Sequence, residues 1–313
     1  MSTSTTLGVD HIGVGVSDME RSRAFWAELG FTDVAFDYTG PLPGLREVAG
    51  RDGVEANVVM LRPAVPTVLG PGAVKLVKTL DVPPPAMPQG MAWGEPGVCE
   101  VCVHVKDQAA LYERLKSAGH TALMEPNSSP LTPYGTLCSL SYVADPDRTK
   151  IELIEWLDLE AGWPQEDGPQ GVNHVAFGVA SLERTRAFYQ QLGFTGMLFD
   201  SDGYFEPMHP WYEPREAPRQ KMTLLTNPAG AGMEPVEHIP ASPDMRGEWG
   251  HLGPFDFGIG VRNLDLGVAR LRELGIELTS EPQTVELGGG ATWRYAYFAE
   301  PDGTWVQLTE ARY

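Results

Sequence analysis

The sequence predicts an α+β fold assembled from four βαβββ modules, on three observations. The first is an internal repeat: a glycine is followed three residues later by a polar or ionisable residue and nineteen residues after that by a second glycine, four times over. The opening glycines are Gly8, Gly97, Gly171 and Gly253, the marked residues are His11, Glu100, His174 and Asp256, and the closing glycines are Gly30, Gly119, Gly193 and Gly275. The second is the alternation after each marked residue. Ile12, Val14 and Val16 fall on one side and His11, Gly13 and Gly15 on the other, as in a half-buried strand. The third is apolar residues at helical spacing between that alternation and the closing glycine. Constant spacing without sequence identity means one unit used four times, and it brings His11, Glu100, His174 and Asp256 to one equivalent position where function is to be sought.

In the first module Ser17-Asp18 starts a helix, and Met19, Ser22, Phe25, Trp26 and Leu29 share its apolar face up to Gly30, the C-terminal cap. Three strand-like stretches follow: Val34 to Tyr38, Ala56 to Leu61 and Val74 to Val77. The second module places Leu111 and Leu115 on its helix, and the turn Asp145-Pro146-Asp147-Arg148 leads into Ile151-Glu152-Leu153-Ile154. The third alternates through Val175, Phe177 and Val179, then starts a helix at Ser181 with Leu182, Thr185, Phe188, Tyr189 and Leu192 on one face. The fourth has Phe257, Ile259 and Val261 in its strand and Val268, Leu271 and Leu274 on its helix, and ends with Glu300-Pro301-Asp302-Gly303 before Val306-Gln307-Leu308. A polar linker, residues 158–170 with Gly162, Pro164, Gly168 and Pro169, separates two expected domains. These are residues 1–157 (modules 8–78 and 97–156) and 171–313 (modules 171–238 and 253–313). Proline-rich crossovers inside the two halves carry matching pairs, Trp93-Gly94 and Trp249-Gly250. Short connections usually join spatial neighbours, so the modules are expected to pair in sequence, one with two and three with four. The arrangement in which module two meets module three stays open.

At 313 residues, with 42% hydrophobic and 21% charged content, the chain has the composition of a soluble globular protein with room for two cores. A formal charge of -19 repels phosphate backbones and anionic membranes, which disfavours nucleic-acid and bilayer partners. The segment Met1 to Leu7 is mostly Ser and Thr, and no stretch approaches the roughly 18 apolar residues of a spanning helix, so a cytoplasmic location is expected. Three cysteines, Cys99, Cys102 and Cys138, argue against a disulfide framework. Cys99 and Cys102 are separated by three positions in a strand, which points them to opposite faces, so buried reduced thiols are expected rather than metal or redox chemistry.

The paired modules, the opening strands DHIGVGV and NHVAFGV, the helices RSRAFWAELGF and RTRAFYQQLGF and the ending DPDRTKIELIE resemble the vicinal oxygen chelate superfamily. It includes glyoxalase I, methylmalonyl-CoA epimerase, extradiol dioxygenases, fosfomycin-modifying enzymes and bleomycin-binding proteins. The resemblance spans nearly the whole chain. It implies two glyoxalase-like domains, each a curved mixed sheet forming a cup, whose inner wall carries a divalent metal on the first and last strands of its modules. The first-strand positions are His11, Glu100, His174 and Asp256. The last-strand positions are Lys75, Glu152 and Gln307, with Glu234 or Glu237 in the third module.

On sequential pairing the resemblance implies a metal held by His11, Glu100 and Glu152, one imidazole and two carboxylates suited to Mn, Fe, Co or Zn. With modules two and three paired, His174 takes the place of His11. Glu152 and Lys75 are the candidate catalytic residues, the first for proton transfer and the second as a base or anchor, although an ammonium at position 75 could instead bridge Glu100 or Glu152. The aromatic stretch Tyr204 to Tyr212 reads as a lid or as loop packing. The function implied is a metal-dependent lyase, isomerase or dioxygenase that stabilises an enediolate-like or catecholate-like anion of a small oxygenated molecule. Within either half the two-histidine, one-carboxylate set of ring cleavage is missing, which favours proton transfer. The alternative is a metal-free cup that sequesters a drug or metabolite, lined by Met87, Met91 and Trp93. Expected partners are thus a small-molecule substrate or ligand, with a homodimer left open.

Overall fold

The structure, a computed structural model, describes residues 6–66, 72–88, 92–131, 136–158, 166–244 and 246–312; Met91 and linker residues 159–165 lie outside the described residues. Module one comprises β1 (Thr6–Gly15), α1 (Met19–Glu28), β2 (Asp33–Pro41), the single turn α2 (Arg46–Ala49), β3 (Glu55–Arg62) and β4 (Ala73–Thr79). Module two comprises β5 (Gly97–Lys106), α3 (Gln108–Ser117), β6 (Thr121–Leu131), β7 (Thr136–Ala144) and β8 (Lys150–Trp156). Module three comprises β9 (Gly168–Val179), α4 (Leu182–Gln191), β10 (Gly196–Gly203), a 3-10 helix (Glu206–Tyr212), β11 (Arg219–Asn227) and β12 (Gly230–Ile239). Module four comprises β13 (Gly253–Val261), α5 (Leu264–Glu273), β14 (Leu278–Gly288), β15 (Ala291–Ala299) and β16 (Trp305–Arg312).

Local chemistry accounts for the repeated helix. The Asp18 side chain accepts from the Arg21 N–H at the start of α1, and Ser181 accepts from Arg184 at the start of α4, each satisfying an otherwise orphaned donor. Gly30 and Gly193 follow with φ of 82° and 91°, the left-handed region that a glycine enters without steric cost. Ser22, Phe25 and Trp26 form the buried face of α1.

In every module the first strand pairs in parallel with the last, and the remaining strands follow antiparallel. The modules join through their first strands, and here the expected sequential pairing is corrected. β1 lies antiparallel to β13 and β5 antiparallel to β9, so module one closes with module four and module two with module three. A bridge from β1 to β12 at Val9 and Ala231 merges the two curved halves into one sixteen-stranded sheet. The physical reason lies in the connections. The link from β8 to β9 is 11 residues, shorter than the 17 between β4 and β5 or the 13 between β12 and β13. The short-connection rule, applied to the actual spans, favours modules two and three as neighbours.

One apolar core holds the helical faces of both halves together, with Phe177 of β9 stacked on Phe257 of β13 at 5.2 Å. Two further cores fill the concave sides. Around modules one and four it contains Phe36, Leu42, Leu45, Val48, Trp293 and Tyr295. Around modules two and three it contains Trp93, Tyr142, Trp156, Phe199, Met208 and Tyr212.

Candidate metal centre

Antiparallel pairing of β5 with β9 sets Cys102 opposite His174, and parallel pairing sets Cys102 beside Glu152 and Ala176 beside Glu234. Period-two alternation then turns Glu100, Glu152, His174 and Glu234 to the inside of the cup, with the three carboxylates disposed around His174. From His174 Nε2 the distances are 2.7 Å to Glu234 Oε2, 3.5 Å to Glu100 Oε1 and 3.5 Å to Glu152 Oε2. All four side chains are buried. Glu100 is fixed from behind, because its Oε2 accepts from Trp93 Nε1 at 2.5 Å and from the Tyr142 hydroxyl at 2.6 Å. His174 Nδ1 lies 2.8 Å from Asn173 Oδ1, which turns Nε2 toward the carboxylates.

Three carboxylates crowded in a dry site perturb one another. Burial, then the neighbouring Glu100, pushes the Glu152 carboxyl up to about 8. Burial also raises Glu234, against the pull of His174. For His174 burial acts downward, yet Glu234 and the other carboxylates outweigh it and raise the ring to about 10. Glu100 Oε1, Glu152 Oε2 and His174 Nε2 have no well-formed hydrogen bond among the described residues. Such buried atoms are costly unless something satisfies them. The residues fit a divalent cation. Bonds of about 2.0–2.2 Å hold adjacent donors about 3.0–3.5 Å apart, and these donors are already near that spacing.

His11 and Lys75 sit elsewhere. The strand pairing separates them from Glu100 and Glu152 and seats them in the other cup with Asp256 and Gln307, which corrects both the expected triad of His11, Glu100 and Glu152 and the expected bridge from Lys75 to either glutamate. Lys75 Nζ lies 2.9 Å from Asp256 Oδ2 and 3.4 Å from both Gln307 Oε1 and the Tyr297 hydroxyl. The Tyr297 hydroxyl donates to Asp256 at 2.6 Å and accepts from Gln307 Nε2 and Trp249 Nε1. Burial lowers the Lys75 ammonium and Asp256 counters it, while His11 is lowered by burial and then by Lys75. His11 Nδ1 is held by Asp10 at 2.9 Å.

Above the four-residue cluster is a cavity of about 40 Å³, with Glu152 and Glu234 in its floor and Trp93, Leu140, Phe199, Phe205, Met208 and Met222 among its walls. The stretch read as a lid or loop packing is the 3-10 helix, which covers this cavity; its Tyr212 hydroxyl donates to the Trp93 carbonyl at 2.6 Å. Glu237, the other candidate in β12, points away and accepts from the Leu182 N–H at the start of α4. Glu234 is the residue that sequence reasoning left undecided. The signal was in the strand itself, since Met233, between Gly232 and Glu234, belongs to the core under the helices and so assigns Glu234 to the cup.

No curated protein matches the sequence significantly. Among solved structures the chain is similar to glyoxalase I from Zea mays, at 18% identity and a TM-score of 0.56, covering 97% of this chain and 92% of that one. It is also similar to a protein of Bacillus subtilis subsp. subtilis str. 168 described only provisionally as a dioxygenase, at 11% identity and a TM-score of 0.54, covering 98% and 86%. These likenesses establish the fold. A family model matches both halves, residues 8–153 and 171–308, and the chain belongs to the Glyoxalase/Bleomycin resistance protein/Dioxygenase superfamily.

Proposed function

We propose that the cup of modules two and three is a metal-dependent active site for a small oxygenated molecule, with Glu100, Glu152, His174 and Glu234 holding the ion. The observation that carries this reading is a buried cluster in which donors of Glu100, His174 and Glu234 lie within 4.8 Å of one another, with Glu152 Oε2 3.5 Å from the same His174 Nε2. One imidazole and three carboxylates suit Mn, Fe, Co or Zn. When bound, such an ion supplies Lewis-acid stabilisation of negative charge on adjacent substrate oxygens.

The protein's own groups divide the remaining work. Glu100, anchored by Trp93 and Tyr142, orients the centre. Glu152 and Glu234 face the cavity, where a carboxylate not engaged by the ion is placed to exchange a proton with a bound molecule. The described residues that line the cavity include Glu152 and Glu234 and no lysine or arginine, so the bound ion would be the positive charge that a substrate oxygen meets there. A cavity of about 40 Å³ admits little beyond water, so substrate entry requires the 3-10 helix carrying Met208 to shift. The donor set differs from the two-histidine, one-carboxylate set of non-haem iron oxygenases, which favours a lyase or isomerase working by proton transfer. A cytoplasmic location is part of the same reading.

The metal-free alternative finds its match in the other cup, where the Lys75 ammonium meets Asp256. Aromatic and aliphatic side chains pack in that half, and a pocket of about 470 Å³ bounded by Tyr38, Leu42, Leu45, Arg46, Val54 and Val285 is the space there that a ligand could take. Elemental analysis of the dialysed protein after exposure to Mn, Fe, Co and Zn is expected to give one ion per chain, lost in Glu100→Gln and His174→Ala. A folded wild-type protein that retains no ion refutes the reading.

A further inference from the structure

We infer that Cys102 adds a second, softer ion position to this centre, one that takes a thiophilic divalent ion such as cadmium in competition with the ion held by Glu100 and Glu234. The inference rests on the metal reading above. Cys102 stands two residues after Glu100 in β5 and therefore on the same face of the strand. Its partners across the ladders are His174 and Glu152. The Cys102 sulfur, a Glu152 carboxylate oxygen and a His174 ring nitrogen all lie within 4.8 Å of one another, as do the donors of Glu100, His174 and Glu234. All three residues of the softer set are buried, and Glu152 Oε2 and His174 Nε2 are among the atoms without a well-formed hydrogen bond among the described residues.

Comparison of the modules singles out this thiol. The residues two positions after the other marked residues are Gly13, Ala176 and Gly258, none of which has a donor atom. In the other cup a Cβ built on Gly258 would lie 2.2 Å from His11 Cε1, so that the imidazole rests over the strand where Cys102 has its side chain. Cys102 thus bars His174 from the matching position and directs the ring toward the carboxylates. A tetrahedral ion with metal–sulfur bonds of about 2.3 Å and metal–nitrogen or metal–oxygen bonds of about 2.0–2.2 Å needs its donors roughly 3.3–3.6 Å apart. The 3.5 Å between His174 and Glu152 already meets that spacing. A thiolate favours soft ions, whereas the Glu100 and Glu234 side offers only oxygen beside the same imidazole. Because His174 serves both positions, the two ions exclude one another. Binding at the softer position forms the metal–sulfur bond and releases the thiol proton to solvent.

Cadmium titration of the purified full-length protein, followed by ultraviolet absorption, tests this. The expected result is a sulfur-to-cadmium charge-transfer band that saturates at one equivalent, disappears in Cys102→Ser and Cys102→Ala, and survives in Cys99→Ser and Cys138→Ser. In the same variants, with folding verified by circular dichroism, manganese binding followed by its electron paramagnetic resonance signal should remain. The cadmium needed to displace manganese should rise at least about tenfold, the lower end of what losing a supporting group costs a metal site. Stoichiometric cadmium binding without the band, or a band that persists in both Cys102 variants, overturns the inference and leaves the four-residue metal reading standing. A folded wild-type protein that binds neither manganese nor cadmium overturns both.

Discussion

The two cups use the same strand positions for opposite ends. Glu100 corresponds to Asp256, Glu152 to Gln307 and His174 to His11, while Glu234 and Lys75 each sit on a last strand beside the residue two positions after the histidine. Even the supporting residues match: Trp93 and Tyr142 brace Glu100, as Trp249 and Tyr297 surround Asp256. Among these differences, the position held by Glu234 in one cup and Lys75 in the other changes the charge most. With a glutamate there, three carboxylates surround a histidine and, against burial, raise its ring to about 10. With a lysine there, the protein carries its own cation, and a hydrophobic core closes over it. On the proposed reading a metal offsets the acidic cluster of one cup, as the Lys75 ammonium offsets Asp256 in the other.

The most direct way to break this comparison is Lys75→Met, which leaves Asp256 buried without its partner. It is expected to cost about 3–5 kcal/mol in denaturant unfolding, with most of the loss recovered in Lys75→Met/Asp256→Asn. A neutral single variant would mean that the ammonium is not the needed counter-charge. Next in size is the pH response of two equivalent turns. Burial pushes Asp145 up to about 7 and Glu300 up to about 6. Both acids hold a proton more tightly folded than unfolded, so their contribution to stability is present below the ordinary carboxylate range and is lost as pH rises through these values. Between about pH 4 and 8, Asp145→Asn should flatten the stability curve by up to about 4 kcal/mol and Glu300→Gln by about 2 kcal/mol. Equal slopes in thermal melts would show that the two turns differ less than their surroundings suggest.

The comparison is sharpened by changing Glu234 and Lys75. Glu234→Gln is expected to weaken manganese binding at least about 100-fold by calorimetry. Lys75→Glu, which gives the second cup a carboxylate at the same position, should raise the bound ions from one to two per chain. Retention of a single ion in a folded Lys75→Glu protein would mean that the filled cup, rather than the ammonium, excludes the metal. The smallest difference concerns the two tyrosines. The Tyr297 hydroxyl joins Asp256, Gln307, Trp249 and Lys75, whereas the Tyr142 hydroxyl donates to Glu100. Tyr297→Phe should therefore cost about 2 kcal/mol in stability and Tyr142→Phe about 1 kcal/mol.

The repeat made the modules, their order and the helix caps at Asp18 and Ser181 legible, because these depend on local chemistry and fixed spacing. Glu100 and Glu152 were legible as site positions in either pairing, since both lie within module two. The histidine was not. Choosing His174 over His11 depends on which first strands meet, a long-range matter on which alternation within a strand is silent. Connection length did not decide it, because the module bounds read from the sequence leave equal links between modules two and three and between three and four, and only the strand ends in the structure shorten the first. Glu234 was obscured because Glu237 is equally acidic and three positions away, and only the core placement of Met233 separates their faces. Lys75 was read as a neighbour of Glu100 for the same reason that His11 was. Cys102 was read as a buried reduced thiol rather than a ligand because a thiol between apolar residues in a strand is normally inert core.

The crosswise closure of the sheet carries a consequence for how unlike the two sites can become. Were the halves separate, identical polypeptides related by a twofold axis, each hollow would be built from the same pair of surfaces, and a lysine acquired in one would appear in both. Covalent continuity removes that constraint. Position 75 and position 234 are independently mutable only because one molecule contains both, which leaves one hollow free to turn into a structural keystone while its twin keeps the acidic ring.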